Sequence, residues 1–142
     1  MYVDNFLRVS NAQAFGAAAV STDSIDLGNP SIKRRIGTGE PMVFGFCVTT
    51  AGTVAATLLE VISATDAALT AGILVVSSRT IPLAETTVGA LFALGVPMGT
   101  PTQRYLGIRA TTAAGTISGT AWLTPTEMFS IAAQAYPRNY AV

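Results

Sequence analysis

Histidine is absent from this 142-residue sequence, and cysteine occurs only once, at Cys47. Without histidine, Ser-His-Asp and Cys-His catalytic sets cannot form, and most zinc sites lose a principal ligand. A single cysteine excludes an intramolecular disulfide framework and a cysteine-based zinc finger. We therefore expect neither a metal nor a cofactor, and any enzyme activity would depend on carboxylates, lysine or tyrosine.

Charged residues are scarce as well. Only 11% of the residues are charged, 50% are hydrophobic, and the formal net charge is +0. A nucleic-acid-binding protein needs a surplus of Lys and Arg to displace counterions from phosphates, so we expect no nucleic-acid partner. The one basic run, Lys33–Arg35, is short and is typical of a solvated loop. A surface with so little charge is easier to explain if copies of the chain or a partner cover part of it.

Long hydrophobic runs are missing too. The longest candidate, at 88–98, contains Gly and Pro and is shorter than the ~18 residues that a transmembrane helix needs. The stretch AFGAAAVS near the start resembles the end of a signal peptide, but the residues before it include Asp4 and Arg8 and form no apolar region. We therefore expect neither a membrane span nor a signal peptide.

Paired carboxylates are the catalytic arrangement that remains to be considered, and the candidates are Asp23 with Asp26 and Glu40 with Glu60. Asp23 and Asp26 lie in one predicted strand at a spacing that directs their side chains to opposite faces. Glu40 lies in the turn sequence GTGEP, where a charged residue is ordinary. The acidic residues are scattered and do not form a calcium-binding loop. We predict that the protein is not an enzyme.

The sequence does contain a series of short apolar runs that are rich in Val, Ile, Thr and aromatic residues and are separated by Gly, Pro and Ala-Thr turns. This pattern predicts an all-β fold, a jelly roll or antiparallel β-sandwich with extended N- and C-terminal arms. The predicted strands are 20–27, 42–49, 56–63, 72–78, 88–95, 104–112 and 116–124.

Individual runs allow more detailed predictions. The segment 42–49 is apolar on both faces, as in a central strand or one covered by another subunit, and its Cys47 is then a small buried hydrophobe. The last two strands predict a β-hairpin, with Gly115 available for a positive φ. Of the two Ala-rich segments, 64–72 predicts a loop with one helical turn, and 128–135 is open between a short helix and an extended arm.

The two ends of the chain lack clear strand periodicity. We therefore divide a single domain, 1–142, into an N-terminal arm at 1–19, a β-sandwich body at 20–124 and a C-terminal arm at 125–142. Both arms contain several aromatic residues, which can pack across a neighbouring chain or dock onto the chain's own core.

Two of the eight basic residues lie together in the stretch TQRYLGIRATT at 102–112. In a strand, Leu106 and Ile108 would face the core, and Tyr105 and Arg109 would share the other face. Arg104 stands at the start of the strand, where its head can reach solvent at the rim. Arg109 beside Tyr105 suits ring stacking or pairing with a carboxylate of a neighbouring chain, and a plain solvated arginine is the alternative.

Four short segments follow one another along the chain: SNAQAF (10–15), STDSIDLG (21–28), IGTGEPMVF (36–44) and QRYLGIRAT (103–111). In this order and spacing they resemble the jelly-roll capsid cement, or decoration, proteins of tailed bacteriophages, over roughly residues 7–124. The resemblance implies a small β-sandwich on the outer surface of the virion, synthesised in the host cytoplasm, that ties subunits of the major capsid protein together without catalysis. It also implies a homo-oligomer, for which base rates of closed symmetry favour a dimer and a trimer is possible.

Such a protein would stabilise the expanded shell by binding only that state, and many symmetric copies would multiply a modest contact. We expect the contacts with the capsid or with other copies to involve the arms and the strand 104–112. The candidate contact residues are Tyr2, Phe6, Phe15, Tyr105, Arg109, Phe129, Tyr136, Arg138 and Tyr140.

A carbohydrate-binding jelly-roll module of a viral fibre or adhesin is the alternative function. It would need exposed aromatic residues in a polar groove. Trp122 shares a strand face with Ser118 and Thr120 and could be exposed there. A core or interface tryptophan fits the same pattern, and one aromatic residue beside threonines is a small basis for a sugar site.

Overall fold

The computed structural model describes residues 7–28, 41–97 and 103–129. Within these ranges the chain forms nine β-strands, a 3-10 turn at Leu83–Glu85 and a helical turn at 126–129. The strands are β1 Arg8–Phe15, β2 Ala19–Val20, β3 Ile25–Asp26, β4 Met42–Thr50, β5 Thr57–Ala64, β6 Leu74–Ile81, β7 Leu91–Val96, β8 Tyr105–Thr112 and β9 Ile117–Pro125. Lys33–Arg35 and Glu40 lie outside the described residues.

The strands form two antiparallel sheets that pack as a sandwich. The order is β1-β9-β4-β7 in the first sheet and β2-β8-β5-β6 in the second, where β3 also pairs with β8. Because β2 and β3 pair with successive parts of β8, they form one interrupted edge strand. Each sheet then has four strand positions, in the order of an eight-stranded jelly roll. This arrangement confirms the predicted all-β jelly-roll sandwich.

The core lies between the two sheets. Phe44 and Phe46 of β4 share one buried cluster with Leu106 and Ile108 of β8, as the alternation in both strands predicts. Gly119 of β9 is required at this point, because a Cβ there would overlap the ring of Phe46. Strand β4 lies between β9 and β7, so it is the central strand that its apolar sequence predicts.

Strand β1 corrects the predicted boundary of the N-terminal arm. Arg8–Phe15 lies within the segment 1–19 that the sequence assigns to the arm, yet it pairs with β9, and its Val9 and Phe15 are fully buried. Alternation is not visible in β1 because its register against β9 shifts twice and Ala12 adopts a positive φ of 46°. The body therefore includes Arg8–Phe15, and Phe15 is a core residue.

The predicted strand 20–27 is interrupted. Only Ala19–Val20 and Ile25–Asp26 pair with β8, and the residues between them bend away. At the bend, the Oγ of Ser21 accepts the N–H of Ile108 at 3.2 Å, so a side chain takes the place of a backbone acceptor. Such local side-chain bonds compete with the strand ladder and do not show in an alternation pattern.

The predicted hairpin is wrong. Both of its strands form, as β8 and β9, but β8 pairs with β5 in the second sheet, whereas β9 pairs with β1 and β4 in the first. Gly115 between them has the predicted positive φ, at 76°. The connection 113–116 is long enough to cross the ~10 Å between stacked sheets. A short loop with a glycine therefore does not distinguish a hairpin from a crossing between sheets.

Of the two Ala-rich segments, only 64–72 differs from expectation. The connection that follows β5 has turns and bends but no helical turn. A helical turn is found instead at 126–129, directly after β9, and only the first two residues of the predicted segment 128–135 belong to it. The remainder of that segment lies outside the described residues.

Because neighbouring strands are antiparallel, successive connections lie at opposite ends of the sandwich. One end carries 16–18, 51–56, 82–90 and 113–116. We call these connections together the four-loop end. The connection 65–73 between β5 and β6 lies at the opposite end, together with the starts of β1, β4 and β8 and the ends of β3, β7 and β9. Each of the described ranges therefore begins and ends away from the four-loop end.

Candidate interaction surface

Three of the segments on which the resemblance rests meet at one edge of the sandwich. The Nε2 of Gln13 in β1 donates to the carbonyl of Val20 at 2.7 Å, and its Oε1 accepts the N–H of Thr22 at 2.9 Å. The backbone N–H of Ser21 donates to the carbonyl of Ile108 at 2.8 Å. These bonds tie β1 of the first sheet to the edge of the second, so both residues Gln13 and Ser21 have structural roles.

Arg104 forms the next link along the same edge. Its Nε and Nη2 donate to the two carboxylate oxygens of Asp26 at 2.9 and 2.8 Å, which makes a bidentate pair between β3 and the start of β8. Its guanidinium carbon also lies 5.0 Å from the ring centroid of Tyr105. The hydrogen bond with Asp26 is the main reason that the pKa of Arg104 is raised. Arg104 reaches the rim as predicted, but it is held there by its own chain.

Arg109 also finds its partner within the chain. Its Nε lies 2.6 Å from Oε2 of Glu60, and the two residues stand directly opposite each other on β8 and β5. The exposed fractions of the two side chains are 24% and 10%. The expected pairing of Arg109 with a carboxylate of a neighbouring chain is therefore corrected, because the sheet register supplies the carboxylate from the same chain.

The chain's own connection 65–73 covers part of the outer face of the second sheet, over β5 and β8. Leu69 from this connection is fully buried with Ile62 of β5, and Tyr105 packs against the same cluster. The close approach requires Gly107 of β8, because a Cβ there would overlap Leu69. Tyr105, a predicted contact residue, therefore packs first against its own chain.

An aspartate closes this connection. The Oδ1 of Asp66 accepts the N–H groups of Thr70 and Ala71 at 2.9 and 2.8 Å, and Oδ2 accepts the Thr70 hydroxyl at 2.7 Å. These bonds, led by the one from Ala71, lower the pKa of Asp66 because they stabilise its charged form. The carboxylate thus holds the loop in the form that places Leu69 over the sheet.

The outer face of the first sheet carries a small aromatic cluster. Gly45 of β4 stands opposite Trp122 of β9, and a Cβ at Gly45 would lie 2.8 Å from the indole and 3.1 Å from the ring of Phe129. Phe129 belongs to the helical turn after β9, which is held by a 2.9 Å bond from the N–H of Thr126 to the carbonyl of Pro41. Trp122 is only 4% exposed, so it does not form an open platform for a sugar.

The family model Bbp16 matches residues 9–122, which run from β1 into β9 and include strands of both sheets. The chain belongs to the Bbp16 family. The match indicates a phage-related family, in agreement with that part of the resemblance. No curated protein matches the chain.

Cys47 of this Bbp16-family chain lies on the outer face of the first sheet, where it is half-buried rather than enclosed in the core. Burial raises the pKa of its thiol, because a thiolate would be poorly solvated there. The side chain therefore remains protonated at neutral pH and behaves as a small apolar group, which is the role that its position in β4 predicts.

Of the four carboxylates considered as catalytic pairs, Asp23, Asp26 and Glu60 lie in the described residues, and two of these three form ion pairs. Asp26 is engaged by Arg104, Glu60 is engaged by Arg109, and Asp23 is exposed on the bend between β2 and β3. Across 7–28, 41–97 and 103–129, no group of three or more Cys, Asp or Glu side chains is arranged to hold a metal ion. No helix in these ranges is long and apolar enough to cross a membrane.

The predicted contact residues separate into three groups. Phe15 is fully buried in the core, 5.9 Å from the ring centroid of Phe46, so it offers no surface to a partner. Tyr105, Arg109 and Phe129 remain partly accessible, although each is engaged by its own chain as described above. The remaining residues lie outside the described ranges: Tyr2, Phe6, Tyr136, Arg138 and Tyr140.

Sequence reasoning missed the two most exposed large apolar side chains of the described residues, Val88 and Val54, which lie at the four-loop end together with Leu83. Val54 is 61% exposed, Val88 is 69% exposed and Leu83 is 39% exposed. Val54 and Leu83 fall between the predicted strands, where single hydrophobic residues are ordinary, and Val88 is the first residue of the predicted strand 88–95. The sequence nevertheless contains one sign of an interaction surface: Glu85 is the only charged residue in the four connections that form this end.

Proposed function

We propose that this Bbp16-family protein is a capsid cement, or decoration, protein. It binds the outer surface of an assembled phage head and stabilises the shell by bridging neighbouring subunits of the major capsid protein. In this proposal the protein acts by binding alone, without catalysis or a cofactor, and it occupies the outside of the virion after synthesis in the host cytoplasm.

One observation carries the proposal: segments that resemble cement proteins come together in the folded chain. Gln13 comes from SNAQAF, Ser21 and Asp26 come from STDSIDLG, and Arg104 comes from QRYLGIRAT. Their side-chain bonds connect β1, β2, β3 and β8 along one edge. Three of the segments that carry the resemblance therefore form one contiguous edge of the folded protein, although QRYLGIRAT is far from the other two along the chain. This supports a shared function as well as a shared fold.

A rigid body suits this role. The connection 65–73 covers part of one outer face and Phe129 covers part of the other, so these parts of the structure are fixed before any partner binds. Binding then requires little ordering of side chains or loops. A ligand that binds only one state stabilises it by about 2.7 kcal/mol per site when its free concentration is 100 times Kd. Repetition of that effect over a symmetric shell would resist disassembly strongly.

The test is binding of the purified protein to expanded empty heads of its own phage, measured by co-sedimentation, with unexpanded procapsids as the matched control. We expect saturable binding to expanded heads and a higher temperature of shell disruption. Absence of binding to the expanded heads would contradict the proposal. Mass measurement in solution tests the predicted homodimer against the trimer.

The structure limits which deletions can test whether the two arms contact the capsid. Deleting residues 1–19 would remove β1 and with it the buried Val9 and Phe15, so the domain would lose part of its core. The informative deletions are therefore 1–6 and 130–142. If the arms provide the main contacts, each deletion weakens head binding while thermal unfolding of the isolated protein is unchanged.

The carbohydrate-binding alternative depends on an exposed Trp122. Because Trp122 is 4% exposed and lies against Gly45 and Phe129, the observation that would favour this function is missing from the described surface. A glycan array with the isolated protein tests it directly.

A further inference from the structure

We propose that the four-loop end is the surface that contacts the capsid, and that it docks against an uncharged, apolar patch of the major capsid protein. This inference rests on the proposed function, which it extends by assigning the contact to a particular end of the sandwich.

The first reason is the position of the two most exposed large apolar side chains of the described residues, Val88 and Val54, beside Leu83. The other exposed ones, Leu74, Val75 and Met128, lie toward the opposite end. Val54, Leu83 and Val88 come from two different connections, yet all three lie at this end. The connections also touch one another: a Cβ at Gly52 would lie 3.4 Å from Leu83, and one at Gly115 would lie 3.3 Å from Val54. Apolar side chains grouped on neighbouring loops mark interaction surfaces more often than isolated ones do.

The second reason is that the connection 82–90 is held in place before any partner binds. The Thr86 hydroxyl donates to the carbonyl of Leu83 at 2.7 Å, and Thr86 itself is only 1% exposed. The N–H of Gly89 donates to the carbonyl of Val48 at 2.8 Å, which fastens the loop to β4. Val88 is thus presented to solvent by a fixed backbone, so docking would cost little conformational entropy.

The third reason is charge. Glu85 is the one charged residue of the four connections, whereas the opposite end holds Asp26, Arg104 and Asp66. A charged partner surface placed on the four-loop end would lose its hydration and gain no ionic partner from these connections other than Glu85. The chemistry of this end therefore selects a neutral, apolar patch on the partner.

Size favours the shell over a second copy of the chain as the occupant. Strands lie about 4.8 Å apart and the sheets about 10 Å apart, and the side chains on the two outer faces add roughly another 10 Å to the thickness. The end of two four-stranded sheets is therefore about 19 Å by 20 Å, on the order of 400 Å². A stable two-protein interface buries about 800 Å² on each partner. A contact of the smaller size is weak alone but becomes effective when many copies bind one symmetric surface.

The experiment measures binding to expanded empty heads for Val54→Asp and Val88→Asp, with Val75→Asp as the matched control. Val75 is 50% exposed and lies near the opposite end, at the start of β6. We expect each four-loop variant to lose roughly tenfold or more in apparent affinity, because an aspartate would be buried against an apolar patch. The control should bind like the unaltered protein, and Val88→Thr should give a smaller loss without altering the loop.

The outcomes separate the two proposals. If the unaltered protein does not bind heads, the cement function fails and this inference fails with it. If the unaltered protein binds and the four-loop variants bind equally well while retaining the same thermal unfolding, the inference is wrong and the function stands. Loss of binding on deletion of 130–142, with no effect of Val88→Asp or Val88→Thr, would assign the contact to the arm instead. If Val88→Asp changes the mass in solution while head binding is intact, the four-loop end forms a contact between two copies of the chain, and the inference is wrong.

Discussion

Replacing Gly107 by alanine tests how the second sheet is covered. In β8 this glycine lies beneath the connection 65–73, and an added Cβ would overlap Leu69 and lie 2.8 Å from the Oγ of Ser21. Leu69 is fully buried, and Ser21 is held by Ile108, so neither neighbour can yield without losing a native contact. We therefore expect Gly107→Ala to be destabilising.

The size of the effect follows from those contacts. Forcing one extra methyl group into a packed site costs about 1–3 kcal/mol. If Leu69 leaves its site instead, the loss of its burial is about 1.5–3 kcal/mol, which is of the same order. A loss of about 2–4 °C in Tm is expected for each kcal/mol in a domain of roughly this length. The variant should therefore unfold several degrees below the unaltered protein.

Gly95→Ala is the matched control. Gly95 is also a strand glycine, in β7, but a Cβ there meets nothing within 4 Å. Its replacement should be neutral or stabilising by about 0.4–1 kcal/mol, because alanine restricts the unfolded chain. Equal stability of Gly107→Ala and Gly95→Ala in urea unfolding would refute the close packing of Leu69 on β8.

A double variant and amide exchange locate the effect. Leu69→Ala alone should cost about 2–5 kcal/mol, as for other buried leucines. In the Gly107→Ala background the same change should cost less, because the overlap has been removed. Hydrogen exchange of the amides in 65–73 should be faster in Gly107→Ala and unchanged in Gly95→Ala. If the two substitutions change the free energy of unfolding additively and amide exchange in 65–73 is unchanged, the connection 65–73 does not pack against Gly107.

Three further predictions follow from the other contacts. Arg109→Ala leaves Glu60 without its partner, although the Glu60 side chain is only 10% exposed. The substitution should lower the free energy of unfolding in urea by roughly 1–3 kcal/mol. Adding Glu60→Gln to the same variant should recover part of that loss. Because folding lowers the pKa of Asp66, its carboxylate stabilises the folded protein at pH values above the ordinary pKa of 3.8, and this contribution disappears as the pH falls through the lower pKa of the folded state. The difference in free energy of unfolding between Asp66→Asn and the unaltered protein should therefore become smaller in acid. A difference that does not change with pH would contradict this prediction. Phe129→Ala uncovers Trp122, the only tryptophan, so its fluorescence should shift to the red and be quenched more by acrylamide, whereas Met128→Ala, at a 52% exposed position, should leave both unchanged.

Much of the fold could be predicted from the sequence because alternation and turn residues act locally. The strands β4, β5, β8 and β9 were located to within a residue or two, and the core face of β8 was assigned through Leu106 and Ile108. Strand β1 escaped prediction because two register shifts and the positive φ of Ala12 break its alternation. The hairpin prediction failed for another reason, since a short connection is compatible with pairing in one sheet or crossing between two.

The candidate surfaces were less accessible to sequence reasoning. Arg109 and Glu60 are far apart in the chain, and only the register of β8 against β5 makes them partners. Trp122 shares a strand face with threonines, but a helical turn after the strand brings Phe129 over it. In both cases a residue that looks available along one strand is occupied by another part of the chain.

The sequence by itself determined the all-β class, the absence of histidine chemistry and the low overall charge, because these depend on composition and on periodicity within short segments. Only the tertiary structure decided which arginines are already paired, which aromatic residues are buried and which loops share an end of the sandwich. The physical reason is that these properties depend on strand register and sheet assignment, which bring together residues such as Val54 and Val88 that have no relation along the chain.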